Sequence, residues 1–324
     1  MNLLIRCFLP NNRLTWCKFE KAIRKDGSEL KMTEKTVENM DFKQLYNQLH
    51  GGIGTKNWPE AFAVMRNILF QAGELMLRPT QLEIKCKNQY DFVTQTDVTV
   101  QKQIKEALAE SFPQVGFMGE EDGACHALNT PTWILDPVDG TTNYIFDRRH
   151  SCISLAYFDG TDMCAGMIFD PYAGELFHTI KDGGSYCNSS KMAVRSETDY
   201  HKMLLLASAG ASDKQISWLQ LDLLRDLHQD IVDIRICGSA ALNFAYLACG
   251  RGSAFISTPM YPWDGAAGAL MVKEAGGVVR DYEGKEVDLA SSTSTVAGNT
   301  VLVSWLQEHI HQVKYEELRK LCRR

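Results

Sequence analysis

The chain has 324 residues, 45% of them hydrophobic and 23% charged, with a formal net charge of −6. This is ordinary globular composition, and it gives no basic footprint for nucleic acid or an acidic membrane, so a charged substrate needs a local device such as a bound cation. Ten cysteines occur without a C-x-x-C pair and read as free thiols in a reducing cytoplasm rather than as disulfides or a zinc site. No apolar run reaches the ~18 residues of a membrane span, and MNLLIRCFLP is too short and interrupted for a secretory signal. The expectation is a soluble cytoplasmic protein with no nucleic-acid or membrane partner.

Residues 1–50, with the charged run KFEKAIRKDGSELKMTEKTVE, read as a weakly ordered extension or a short surface helix, in which Met32 and Met40 are alternative starts. WPEAFAVMRNILFQAGELMLRP then has helical spacing and ends at Pro79. TDVTVQKQIKEALAESFP is a second helix, with Val100, Ile104, Leu108 and Phe112 on one face and Thr96 or Asp97 as its N-cap. VGFMGEED and TWILD read as strands that end in acidic residues. SCISLAYFDG, DMCAGMIFDP and GELFHTIKDGG follow as an antiparallel meander. Beyond residue 195, strands and helices alternate from MLLLASAG to STVAGN, and a long C-terminal helix starts near Thr300. The organisation expected is an extension (1–50), a helix pair with an antiparallel sheet (51–195) and an α/β half (196–324), with a cleft between the two halves.

Acidic residues stand at element ends, where α/β proteins build sites: Asp97, Glu120, Asp136, Asp139 and Asp264. If they converge, they cannot all stay ionised without cations among them. Oxygen ligands with no Cys or His beside them select Mg²⁺, Mn²⁺ or Ca²⁺. Asp136 and Asp139 fit two metals with Asp136 bridging, a phosphoryl-transfer arrangement. In WILDPVDGTTN, Gly140 lets the backbone approach a phosphate, and the Thr141 hydroxyl can position a water if a carboxylate accepts its proton. Taken singly, DGTT is a turn, GEED a solvated loop and WDGAAG a capped helix. Haloacid-dehalogenase phosphatases carry D-x-D-G-T, whereas DPVDGTT spaces its aspartates three apart, which puts Asp139 in the turn beyond the strand as a ligand.

Taken together, DFVTQTD, GEED, WILDPVDGTTN, GSAALN, PWDGAAGALMVKEAGG and DLASSTSTVAGN resemble the inositol monophosphatase family of lithium-sensitive, magnesium-dependent phosphatases, over about residues 58 to 318. The resemblance implies layered α-β-α-β-α architecture, class α/β (α+β), and usually a homodimer. It implies that Glu120, Asp136 and the Val138 carbonyl bind one Mg²⁺, and that Asp136, Asp139 and Asp264 bind a second. Asp97 and Glu120 would help to hold a third, with Mn²⁺ an alternative ion. Thr141 paired with Asp97 would activate the attacking water. Gly140 and Thr141 would hold the phosphate, and Gly238, Ser239 and Ala240 would line the polyol side.

One position departs from the family. A glutamate that binds a substrate hydroxyl usually stands seven residues before the WD aspartate, and here that position is Ser257. Lys85 and Lys87 lie near a position where the family often has a basic residue. The reading is a Mg²⁺-dependent phosphomonoesterase that hydrolyses a small phosphorylated metabolite, an alcohol ester, by in-line attack of a metal-activated water. Alternatives are a relative acting on fructose 1,6-bisphosphate, histidinol phosphate or 3′-phosphoadenosine 5′-phosphate, and, from another class, a non-catalytic regulatory binding protein.

Overall fold

A computed structural model describes residues 22–23, 29–30, 40–46, 49–78, 83–88, 91–123, 128–209, 213–287 and 293–323. Most of the expected extension, together with Met32, Pro79, Cys7, Cys17, Cys125 and residues 288–292 of the last motif, lies outside them. The chain divides into two units, Met1–Asp41 and Phe42–Arg324. In the first, strands β1 (Ala22–Ile23) and β2 (Glu29–Leu30) pair antiparallel. The second begins at Phe42, earlier than the boundary read from the sequence. Helix α1 (Phe42–Tyr46) buries Phe42 and Tyr46 against Phe62 and His178, an aromatic cluster inside an otherwise polar stretch.

The hairpin β3 (Gly52–Ile53) and β4 (Lys56–Asn57) leads into α2 (Trp58–Leu77), whose N-cap Asn57 forms a capping box with Glu60. A second hairpin, β5 (Ile84–Asn88) and β6 (Asp91–Thr94), leads into α3 (Gln95–Ser111). The helix starts before the expected position: Thr94 is its N-cap, and Asp97 stands three residues on as the reciprocal member of a capping box. The expected apolar face holds, with Val100, Ile104, Leu108 and Phe112 all buried.

Both helices cover one face of a seven-stranded sheet. Its strands are β7 (Gly116–Gly119), β8 (Pro131–Asp139), β9 (Cys152–Asp159), β10 (Met163–Asp170), β11 (Glu175–Ile180), β12 (Gly184–Cys187) and β13 (Ser190–Lys191), in spatial order β13-β12-β11-β10-β9-β8-β7. The expected meander is present, but β7 pairs parallel with β8, so the sheet is mixed. On this face Trp133 packs between Phe112 and Tyr157. A register shift lets β8 continue past Asp136 until Asp139 pairs with Cys152. Asp139 therefore lies on a bulged strand, not in the turn beyond it, because the bulge absorbs the Pro137 and Val138 positions. The short helix α4 (Thr141–Ile145) follows at once.

The remaining strands are β14 (Leu204–Ser208), β15 (Asp233–Ile236), β16 (Ala254–Met260), β17 (Val278–Arg280) and β18 (Thr293–Gly298). They form a second sheet in the order β15-β14-β16-β18-β17. Helix α5 (Lys214–Leu227) precedes β15, α6 (Ala240–Ala248) precedes β16, and α7 (Pro262–Glu274) follows it. Helices α6 and α7 fill the space between the sheets, where Phe244, Ala267 and Met271 join Ile134, Ile168 and Phe255 in one apolar core. The run of small residues in α7 permits this double burial. A Cβ at Gly166 on β10 would stand 2.9 Å from the Ala267 Cα, so the helix can lie this close only over glycine. Helices α5, α8 (Thr300–Ile310) and α9 (Glu316–Leu321) cover the outer face, with Leu223, Leu306 and Leu318 packed on Leu205 and Ile256. The expected long terminal helix is thus two, separated by a 3₁₀ turn at Val313–Tyr315. The five layers are α-β-α-β-α, as expected.

Candidate active site

The end of β8 and the first turn of α7 meet within the second unit. Carboxylate oxygens of Asp136, Asp139 and Asp264 all lie within 4.8 Å of one another, with the first two residues buried. Asp136 and Asp264 are each held by the backbone of their own segment. Asp136 Oδ1 accepts the Val138 N–H at 2.9 Å, and Asp264 Oδ2 accepts the Tyr261 N–H at 2.8 Å as the capping-box residue of α7. Two carboxylates at that separation repel by about 3 kcal/mol at an effective dielectric of about 20. Burial, then the charges of Glu120, Asp139 and Asp264, push the Asp136 carboxyl well above its ordinary value. Burial also raises Asp139, against hydrogen bonds from Ser239, Ala241 and Ala240. Among the described residues no lysine or arginine forms an ion pair with Asp136 or Asp139. The donor set is oxygen-rich and anionic, with neither His nor Cys among the three clustered residues, which fits a hard divalent cation.

Beside this trio, Asp97 is fully buried at the start of α3. Its Oδ2 accepts hydrogen bonds from the Thr94 N–H (2.9 Å) and the Thr94 hydroxyl. Its Oδ1 lies 3.1 Å from Thr141 Oγ1, which is also 3.1 Å from the Val138 carbonyl. Burial raises the Asp97 carboxyl, and the hydrogen bonds from Thr94 and Thr141 oppose that rise. The expected Thr141–Asp97 pair is therefore formed. Gly140, between Asp139 and Thr141, has φ of +90°, and a Cβ there would stand 3.0 Å from both the Gly238 and His150 carbonyls. Only glycine fits that conformation in that space.

The start of α6 closes on the same residues from the helical layer between the sheets. Ser239 caps α6 and donates its hydroxyl to Asp139 Oδ2, while the Ala241 and Ala240 N–H groups donate to the same carboxylate at 2.8 and 3.2 Å. Gly238 stands next to Asn143, whose amide donates to the Cys237 and His150 carbonyls at 2.7 and 2.8 Å and ties the two loops together. Ser257 lies on β16. It is buried in the centre of the second sheet, and its hydroxyl donates to the Thr258 carbonyl at 2.9 Å.

Glu120, in the 3₁₀ turn after β7, is half-buried and accepts from Lys87 Nζ at 2.8 Å; the same ammonium is 2.7 Å from Glu121. Burial pushes Glu121 up to about 7 even though Lys87 opposes the shift. Burial would lower Lys87, but Glu120 and Glu121 hold it above its ordinary value. Lys85 and Lys87 are both exposed, and Lys87 pairs with Glu120 and Glu121.

The model of the inositol monophosphatase family matches residues 60–317. The chain belongs to that family. Among its relatives, the inositol-1-monophosphatase of Bacillus subtilis is 31% identical over 80% of this chain and 99% of its own length. A protein of Xylella fastidiosa described as Nus factor SuhB is 32% identical over 77% of this chain and 94% of its own. A solved IMPase of Thermotoga maritima superposes with a TM-score of 0.71 at 27% identity, covering 79% of this chain and 98% of that one.

Three participants in this family site escaped the reading of the sequence. Thr94 was visible as the first residue of a T-x-x-D capping box. The Ala241 amide follows from the GSAAL helix start, though not its target. Cys152, whose sulfur is 3.7 Å from Asp139 Oδ2, carries no local signal, because strand pairing alone brings it there.

Proposed function

We propose that the protein is a Mg²⁺-dependent phosphomonoesterase acting on a small phosphorylated alcohol. The observation that carries this is the convergence of Asp136, Asp139 and Asp264 within 4.8 Å of one another, with the Thr141–Asp97 pair alongside. Asp136, Asp139, Asp264, Glu120 and the Val138 carbonyl would hold the ions, with Asp97 helping at a third. When bound, Mg²⁺ or Mn²⁺ supplies charge neutralisation at the phosphoryl group and acidifies water.

The protein's own part is positioning and proton transfer. Thr141 donates its hydroxyl proton toward Asp97 Oδ1, which leaves the Thr141 oxygen free to accept a hydrogen bond from water. Asp97 is then the sink for the proton released as water oxygen attacks phosphorus and the P–O bond to the alcohol breaks, the departing alkoxide takes a proton from solvent water to leave as the alcohol, and Asp97 returns its proton to solvent. Its raised carboxyl favours that uptake. Ser239, Ala240 and Ala241 hold Asp139 at fixed orientation, the support a ligand needs to keep its geometry. Gly140 gives the phosphate room beside Thr141.

Ser257 is shorter than a glutamate and neutral, and its proton is donated to the Thr258 carbonyl, so it leaves a polyol hydroxyl only a weak acceptor. We therefore place inositol phosphate below other esters in preference. The same reading carries a cytoplasmic homodimer inhibited by lithium, checked by fractionation, sedimentation and added Li⁺. The test of the activity is phosphate release from inositol, sugar, histidinol and nucleotide phosphates with Mg²⁺ and with EDTA. Release from at least one ester, abolished by EDTA, is expected; no release from any of them by metal-loaded protein would overturn the proposal.

A further inference from the structure

A second cavity, of about 450 Å³, opens at the opposite end of α7. Lys273 at its rim lies nine positions after Asp264, ~14 Å along the helix axis, so it is distinct from the carboxylate site. Its floor is apolar: Phe158, Met163, Leu270 and Val287 are each less than one-tenth exposed or at that limit. The volume lies within the range of small-molecule sites, which combine such a floor with a few polar groups.

The charges at the rim indicate the ligand. Four carboxylates, Asp162, Asp182, Glu274 and Glu286, face two ammonium groups, Lys181 and Lys273. Both lysines are already committed, Lys181 to Asp162 and Lys273 to Glu286, each at 2.7 Å. Glu274 is a fixed wall, because it accepts the Asp182 and Gly184 N–H groups at 2.9 Å each. The negative end of the α7 dipole adds to this surplus. An anion would meet excess negative charge here, whereas a cation with an apolar body satisfies both floor and rim.

We propose that this cavity binds a small organic ammonium compound, with its hydrocarbon part on Leu270 and Met163 and its charge against Glu286 and Asp182. The Lys273 ammonium competes for Glu286, so it opposes that ligand.

The test titrates the full chain with phenethylamine and with 1,5-diaminopentane by calorimetry, with inorganic phosphate as the anionic control. Saturable binding of at least one amine is expected. Leu270→Trp, which fills the floor, should weaken it by at least about tenfold, and Glu286→Gln by about threefold. Lys273→Met should strengthen it by about threefold, a change that loss of packing would not produce. Thr161→Arg, at an exposed rim position, repeats the blocking test if Leu270→Trp does not fold. No saturation by either amine up to about 10 mM, unchanged affinity in a folded blocking variant, or preferential binding of phosphate would overturn the proposal.

Discussion

Asp139→Asn separates what the acidic trio costs the fold from what it does in the reaction. In the metal-free protein the Asp139 carboxylate has those of Asp136 and Asp264 within 4.8 Å. Each pair repels by about 3 kcal/mol at an effective dielectric of about 20, so asparagine removes about 6 kcal/mol of gross repulsion. Against this, the three donors from Ser239, Ala240 and Ala241 lose a charged acceptor, at about 1 kcal/mol each. Partial protonation of the wild-type trio shrinks the difference further. The variant should then be about 1–3 kcal/mol more stable in EDTA near neutral pH, a rise of a few degrees in Tm. Turnover with Mg²⁺ should fall by about 10³ or more, because a ligand is lost from the ion that neutralises the phosphoryl group. The pH dependence has a definite sign. The folded carboxyls are raised above the ordinary 3.8, so the folded state holds protons that the unfolded chain has already released. Stability of metal-free wild type therefore falls as pH rises from about 4 through the raised values, and the variant should show a shallower fall. Calorimetry in EDTA across that range, with phosphate release on the same samples, decides the matter. A less stable variant with the wild-type pH slope, or one that keeps its turnover, would refute the reasoning.

Three further outcomes follow from the site and its surroundings. Thr141→Val should lower turnover by about 10²–10³ while leaving divalent-ion affinity within a few-fold, because the hydroxyl acts on water through Asp97; a loss of ion binding measured by calorimetry would reassign Thr141 as a ligand. Ser239→Ala should weaken ion binding by about tenfold, since it frees one oxygen of Asp139 to rotate; unchanged binding would show that the Ala240 and Ala241 amides suffice. Burial holds His178 down at about 4, with Nε2–H donating to the Asn188 carbonyl and Nδ1 accepting from the Tyr46 hydroxyl, each at 2.8 Å. Its stabilisation is complete above the unfolded value near 6.5 and is lost as pH falls toward 4. The ring-proton shifts in NMR should stay constant from about pH 8 to 5, and titration near 6.5 would contradict the buried pairing.

Much of the candidate site was legible because its carboxylates sit in short segments whose chemistry is local. Asp136, Asp139 and Thr141 share one strand end, and Asp264 opens a helix marked by Pro262 at its first position. What was hidden depended on pairing between distant segments. The bulge that keeps Asp139 on β8 is set by its register with β9, which no run of residues announces. The same pairing places Cys152 beside Asp139. Ser257 was legible as a departure from the family, but its direction was not, because a buried serine can satisfy its hydroxyl on any nearby carbonyl. Phe42 and Tyr46 were masked by charged neighbours, and only the aromatic cluster around His178 shows that they belong to the folded unit. The start of α3 was misplaced by two or three residues for a simpler reason: Thr94 and Asp97 are both good caps, and the reciprocal bond between them decides which leads.

The central claim is that Asp136, Asp139 and Asp264 form a divalent-cation site. It is tested most directly by titrating the purified protein with Mn²⁺ and following the free ion by electron paramagnetic resonance. Wild type should bind the ion with competition by Mg²⁺, and Asp136→Asn should weaken that binding by about 10²-fold or more. Wild type that leaves the Mn²⁺ signal undiminished, or an Asp136→Asn protein that binds as wild type does, would contradict the account.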